Sequence, residues 1–157
     1  SWHYHGRAGG SGTGARCLWN PVRKELLVGG GQVFGKNAKT GNRFAVISEP
    51  LGATQLLDPW FKPDGSPLEY AAGSRRLIYH PVSGDYLLFD FRDKTFYIGN
   101  GRAPWQIYER FSDPNVGPFG AYGHYTAVDV LPGTDVLVFV SQHRGVFLHR
   151  VRHGTSR

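Results

Sequence analysis

The chain has 157 residues, 18 Lys and Arg against 12 Asp and Glu, and a formal charge of +6. That length suits one domain with a core of its own, and no apolar run of 18 residues offers a transmembrane helix. Aromatics at 14%, 22 glycines and 10 prolines favour short strands joined by many turns, and no heptad or long amphipathic helical pattern competes with them.

In chain order, Trp2-His3-Tyr4-His5 reads as a short strand with both histidines on one face. A glycine-rich connection (6–15) leads to Arg16-Cys17-Leu18-Trp19, which ends at Pro21. After the acid Glu25 a second apolar run begins and closes on Gly29-Gly30-Gly31. Phe44-Ala45-Val46-Ile47 is a third strand, reached by the segment 31–42 with Lys36 and Lys39. That segment is longer than its counterparts further on, the mark of a functional loop or a tolerated insertion. Asp58-Pro59-Trp60-Phe61 is expected to be a strand opening the next unit.

The same pattern then returns. Leu77–Tyr79 runs into His80-Pro81, the acid Asp85 follows, and a second apolar run starts at Tyr86. Phe96-Tyr97-Ile98 is the third strand and Ala103–Tyr108 the one that opens the last unit. In that unit Thr126–Leu131 meets Pro132, Asp135 precedes Val136–Val140, and Val146–His149 closes. The hairpins are set by turn chemistry: β-prone runs bounded by Pro, Gly, Ser and Asp. Pro21, Pro81 and Pro132 are spaced by 60 and 51 residues, a glycine (Gly14, Gly73, Gly123) precedes each first strand, and Trp2, Trp60 and Trp105 each open a unit. The approximate units are 1–52, 53–101 and 102–151, within one domain or half-domain, 1–157.

Four short antiparallel strands repeated at roughly 50 residues resemble kelch-like β-propeller repeats. The Gly29-Gly30-Gly31 run is similar to the glycines that close the second strand of such repeats, and the ending Val136–Val151 looks like a last blade in secreted bacterial propellers. The expected fold is therefore all-β: three four-stranded antiparallel blades, with the N-terminal strand at Trp2 completing a blade. A two-sheet β-sandwich is the alternative. Three blades are too few for a ring, since propellers hold four to eight. The resemblance implies a homodimer or a missing propeller half, and an extracellular setting. The chain has no Met, so it is expected to be processed or part of something longer, and no signal peptide is visible at its start.

In a propeller the connections 6–15, 63–74 and 112–123 share one face with the second-to-third-strand loops. The residues at the channel mouth there are Arg16, Arg75, Arg76, Tyr122, His124 and Tyr125, the candidate ligand-binding set. Arg16 and Arg76 stand at the same offset from their prolines. They could fork onto a carboxylate or phosphate, or pair structurally with Glu25 or Asp85. His3 and His5 could supply two metal ligands, but no third residue is singled out, and no cofactor is expected.

Cys17, the single cysteine, is expected to be a buried small hydrophobe. The three repeated tryptophans are expected to pack between units, with a sugar-stacking platform as the other reading; Tyr70, Tyr122 and Tyr125 are freer to stack on sugars. Asp58, Glu69, Asp113 and Asp129 are the carboxylates available for glycoside hydrolysis, unmarked by any motif. The positive charge is dispersed, so nucleic acid is not the expected partner. The reading is a non-catalytic binding or assembly module for a glycan or protein. The alternatives are a polysaccharide hydrolase or lyase, and a purely structural ring component.

Overall fold

The computed structural model describes residues 16–29, 44–48, 54–68, 75–91, 93–102, 104–111, 126–141 and 145–152. Among them every regular element is a strand: β1 Arg16–Asn20, β2 Glu25–Gly29, β3 Phe44–Ser48, β4 Thr54–Leu56, β5 Arg75–Tyr79, β6 Tyr86–Asp90, β7 Thr95–Gly99, β8 Gln106–Arg110, β9 Thr126–Val130, β10 Val136–Ser141 and β11 Gly145–Arg150. They form three small antiparallel sheets in chain order: β1-β2-β3-β4, then β5-β6-β7-β8, then β9-β10-β11. The fold is all-β, and no described helix is long and apolar enough to cross a membrane.

The three hairpins fall where the proline turns place them, with Asn20 opposite Glu25 and Tyr79 opposite Tyr86. The His80 N–H donates to Asp85 O at 2.6 Å and the Leu131 N–H to Val136 O at 2.8 Å. The paired positions after the turns are therefore Glu25, Asp85 and Val136. The third acid, Asp135, lies one residue early, inside the turn, so the acid repeat is out of register in the last unit.

The strand expected at Asp58–Phe61 lies earlier. β4 pairs with β3 through Thr54, Gln55 and Leu56. Pro59 lacks the N–H that a ladder needs, and the chain past it turns inward instead. Phe61 bridges Pro67, the Lys62 N–H donates to Ser66 O and the Leu68 N–H to Trp60 O. Asp64 Oδ1 accepts from the Ser66 N–H at 2.9 Å and its hydroxyl at 2.6 Å. This closed turn carries Trp60 and Leu68 into the core. It occupies the first half of the connection 63–74. The fourth strand at Trp2 lies outside the described residues.

Successive sheets pack in one manner. β1 lies against β5, and β5 against β9, so the first strands stand side by side. Because alternate residues face opposite ways, each sheet has a forward face toward the next sheet and a backward face toward the previous one. Between the first and second sheets, Asn20 Nδ2 donates to Gly84 O at 2.7 Å and the Tyr86 hydroxyl donates to Glu25 Oε1 at 2.7 Å. Trp60 lies flat on Phe44 at 3.9 Å and tilts against Trp105 at 4.6 Å. A Cβ on Gly99 would come within 2.7 Å of the Trp105 ring, so the second sheet admits this tryptophan only over a glycine. Between the second and third sheets, Phe89 meets Phe139 edge-on at 5.0 Å, and within the second sheet it meets Phe96 edge-on at 4.0 Å.

The outer strands of the second and third sheets meet through a polar group. His149 Nε2 lies 3.5 Å from Glu109 Oε2, Arg152 Nη2 lies 3.4 Å from Glu109 Oε1, and the Arg152 N–H donates to the Tyr108 hydroxyl at 2.6 Å. Burial is the main cause that holds the His149 pKa below 6.5; Glu109 opposes it and Arg152 adds to it. A folded-state pKa below the unfolded value makes protonation favour the unfolded chain. The contribution is thus fully present above pH 6.5 and is lost as pH falls through and below it. The urea midpoint is expected to drop as pH falls from neutrality toward 5. His149→Gln is expected to flatten that slope, and an unchanged slope in the variant would remove His149 as its source.

Candidate functional site

The three proline turns come together at one end of the first strands. In the first, Asn20 Oδ1 accepts from the N–H groups of Val22 and Arg23, both at 3.2 Å. In the second, His80 takes the same part: Nδ1 accepts from Val82 N–H at 3.3 Å and Ser83 N–H at 3.1 Å. An imidazole nitrogen that accepts carries no proton, so a neutral His80 has its hydrogen on Nε2. Lys24 and Gly84 close these two turns with φ of 52° and 73°. In the third turn Leu131 replaces Asn20 and His80. There the Thr134 hydroxyl donates to Leu131 O at 2.8 Å and accepts from Val136 N–H at 3.1 Å.

The first two turns are locked together. Arg23 pairs with Asp85 and also donates to Asn100 O at 3.1 Å. A Cβ on Gly84 would meet Val22 Cγ1 at 2.9 Å, so the close approach needs glycine there.

Between the turns runs an open groove of about 810 Å³, lined by Pro21, Val22, Tyr79, Pro81, Val82, Val130, the third turn and Arg150. Its few polar groups are largely engaged within the fold. Thr134 satisfies its own turn, and Asp135 lies 3.6 Å from Arg150 Nε. Tyr79 is half-buried; burial first, and Asp129 second, hold its phenol pKa above 10.0, so it faces the groove as a neutral hydroxyl. The remaining lining is proline, valine and Gly133.

This groove is at the other end of the first strands from the arginine candidates. Arg16 and Arg75 begin β1 and β5, whereas the turns follow the ends of those strands. Arg75 Nε donates to the buried Asp90 carboxylate at 2.7 Å. Arg76 Nη1 donates to Arg75 O at 2.7 Å, and its guanidinium lies 5.9 Å from the Phe91 ring centre. Arg16 Nε is buried without a hydrogen bond. Glu25 and Asp85 take Arg23 as their partner, with Arg102 3.6 Å from Glu25. Tyr122, His124 and Tyr125 lie outside the described residues, as do His3, His5, Tyr70, Glu69, Asp113 and the segment 31–42.

Cys17 is placed differently from expectation, whereas Trp60 and Trp105 pack as expected. Cys17 is exposed, because its alternation with Leu18 turns it to the backward face of the first sheet. Trp60 and Trp105 are buried in the core; they are packing residues and present no face to a sugar. Among the described residues no three His, Cys, Asp or Glu side chains gather as metal ligands would. The groove itself was missed by sequence reasoning. Two of the three repeated prolines, Pro21 and Pro81, line it, but a proline that turns a hairpin carries no sign in the sequence of a shared lining. Compared with protein-family models, with curated proteins and with solved structures, the chain matches none.

Proposed function

We propose that the chain is a non-catalytic binding and assembly module of propeller-like build, and that its groove takes an extended protein segment with small apolar side chains. Side-by-side first strands support the propeller-like reading over a sandwich, since strands of that position line the axis of a propeller. The resemblance to kelch-like repeats points the same way.

The observation that carries the binding reading is the groove's lining. Its volume is in the range of ligand sites, and its apolar lining is proline and valine from the first two turns with Val130 and Val136 beside the third. Sugar recognition calls for convergent unsatisfied donors and acceptors, and here the polar groups mostly hold one another. Six of the described carboxylates also serve structure: Glu25, Asp85, Asp90, Asp93, Glu109 and Asp135 stand in ion pairs. A module of this kind binds without turnover.

Selection of displayed random peptides against the intact protein, beside an oligosaccharide array, tests the reading. Enriched peptides should be apolar and proline-rich. Their affinity should fall at least about tenfold, or 1.4 kcal/mol, for Val82→Asp, which changes an exposed groove residue. Oligosaccharide binding that survives Val82→Asp would instead place recognition on the opposite face.

A further inference from the structure

Among the described residues, two sheet faces carry exposed apolar side chains, and they are the two halves of the junction that the fold already makes twice. In each internal junction a forward face meets a backward face. The backward face of the first sheet carries Cys17 opposite Val28 and Trp19 opposite Leu26. Through Ala45, the Cys17 row continues to Leu56. Trp19 is 42% exposed and Leu56 57%, so the face is open at its two outer strands, while Ala45 and Ile47 on β3 are buried. On the equivalent face of the second sheet, Leu77, Tyr86 and Leu88 are buried under the first sheet, Tyr79 is half-buried, and Ile107 on the outer strand stays 38% exposed.

The forward face of the third sheet carries Val138 opposite Leu148 and Val140 opposite Val146. Leu148 is 69% exposed and Val146 65%. Its equivalents in the second sheet, Leu87 and Phe89, are fully buried. Exposed apolar faces of this extent mark association surfaces.

We propose that a second copy of this chain covers both faces: the third sheet of each copy packs on the first sheet of the other, about a two-fold axis. The proposal rests on the propeller-like reading above. A second copy supplies what a generic partner does not. It brings a forward face to a backward face at both ends at once, repeating the packing already seen between β1 and β5 and between β5 and β9. Closed two-fold assembly is also the commonest symmetry of soluble oligomers.

The area suffices. Four strands of five residues in the first sheet, or three of five to six residues in the third, make a face of roughly 300 Å². Two junctions then bury on the order of 1,200 Å² over both partners, the lower bound of standard interfaces. The new junction is apolar where the first internal one is polar. Leu131, exposed at the third turn, stands where Asn20 reaches across to Gly84. The groove of each copy would then open toward the same two-fold axis.

Light scattering on the intact chain, across two decades of concentration, gives the mass, and Cys17 reports on the covered face. The expected result is twice the chain mass, with Cys17 reacting with a disulfide reagent at least about tenfold more slowly than an exposed thiol. Trp19→Asp and Leu148→Asp, each at an exposed position, should each give a monomer with native circular dichroism and full Cys17 reactivity. Mixing the two variants should restore dimer, because one of the two junctions is then wild type on both sides. Val82→Asp should leave the mass unchanged.

A wild-type monomer with freely reactive Cys17 overturns the proposal, as does an open-ended polymer. So does a dimer that neither variant weakens. Loss of peptide binding with the dimer intact would overturn the groove reading alone.

Discussion

Arg75→Met is expected to unfold the protein rather than to weaken a ligand. Arg75 and Asp90 face each other across the β5–β6 ladder, and the Asp90 side chain has no solvent exposure. Arg75 Nε donates to Asp90 Oδ2 at 2.7 Å, while the Asp93 N–H reaches Asp90 Oδ1 only at 3.4 Å. Removing the guanidinium takes a counter-charge from a buried carboxylate. Breaking one side of such a pair costs about 3–5 kcal/mol, a large part of the stability of a single domain.

The measurement is the urea midpoint at unchanged slope. Asp90→Asn in the same chain should recover much of the loss, because the neutral amide does not need the cation. Unchanged stability in Arg75→Met would mean that the Arg75–Asp90 pair does not hold the fold, and that the arginine at the start of β5 serves something else.

That contrast shows what the sequence could and could not convey. The proline, the acid and the paired apolar runs around Pro21, Pro81 and Pro132 are local features with local causes, so the three hairpins were legible. The identity of a partner across 15 residues of ladder was not, because a basic residue at a strand start is compatible with ligand or with carboxylate. The fourth strand of the first sheet was placed several residues late for a related reason. Asp58–Phe61 has the tryptophan and phenylalanine of a strand, but the pull of Trp60 toward Phe44 and Trp105 is tertiary.

The groove has the same history. No single turn in the sequence announces a site, since its lining comes from three turns more than 100 residues apart at the extremes. Asn20 and His80 make the point at the level of one side chain. They hold equivalent turns by accepting the same two N–H bonds, yet nothing in the residue names equates an amide with an imidazole. The third turn, with Leu131, shows the limit of the repeat: the hairpin survives there without the acceptor, through Thr134.

Trp60→Ala is expected to be the other severe substitution. Trp60 is 2% exposed, lies within 4° of parallel to Phe44, and touches Trp105 at the joint between the first and second sheets. Its Nε1–H donates to Gly101 O at 3.1 Å, and the Trp105 N–H donates to Phe61 O at 3.0 Å directly beside it. Truncation removes the ring that joins β3 to the entry of β8 and leaves a cavity the surrounding strands cannot fill, at a cost of about 3–5 kcal/mol. Trp60→Phe keeps most of the stack but leaves Gly101 O without its donor, a loss of about 1–3 kcal/mol. Thermal unfolding followed by near-ultraviolet circular dichroism separates the two, since the coupled Trp60–Trp105 signal disappears in both variants while only the alanine should melt far earlier. Equal midpoints for Trp60→Ala and the wild type would mean that the joint between the sheets is held without this ring. The turn-locking contacts of Asn20, Arg23 and Glu25 would then have to carry the junction alone.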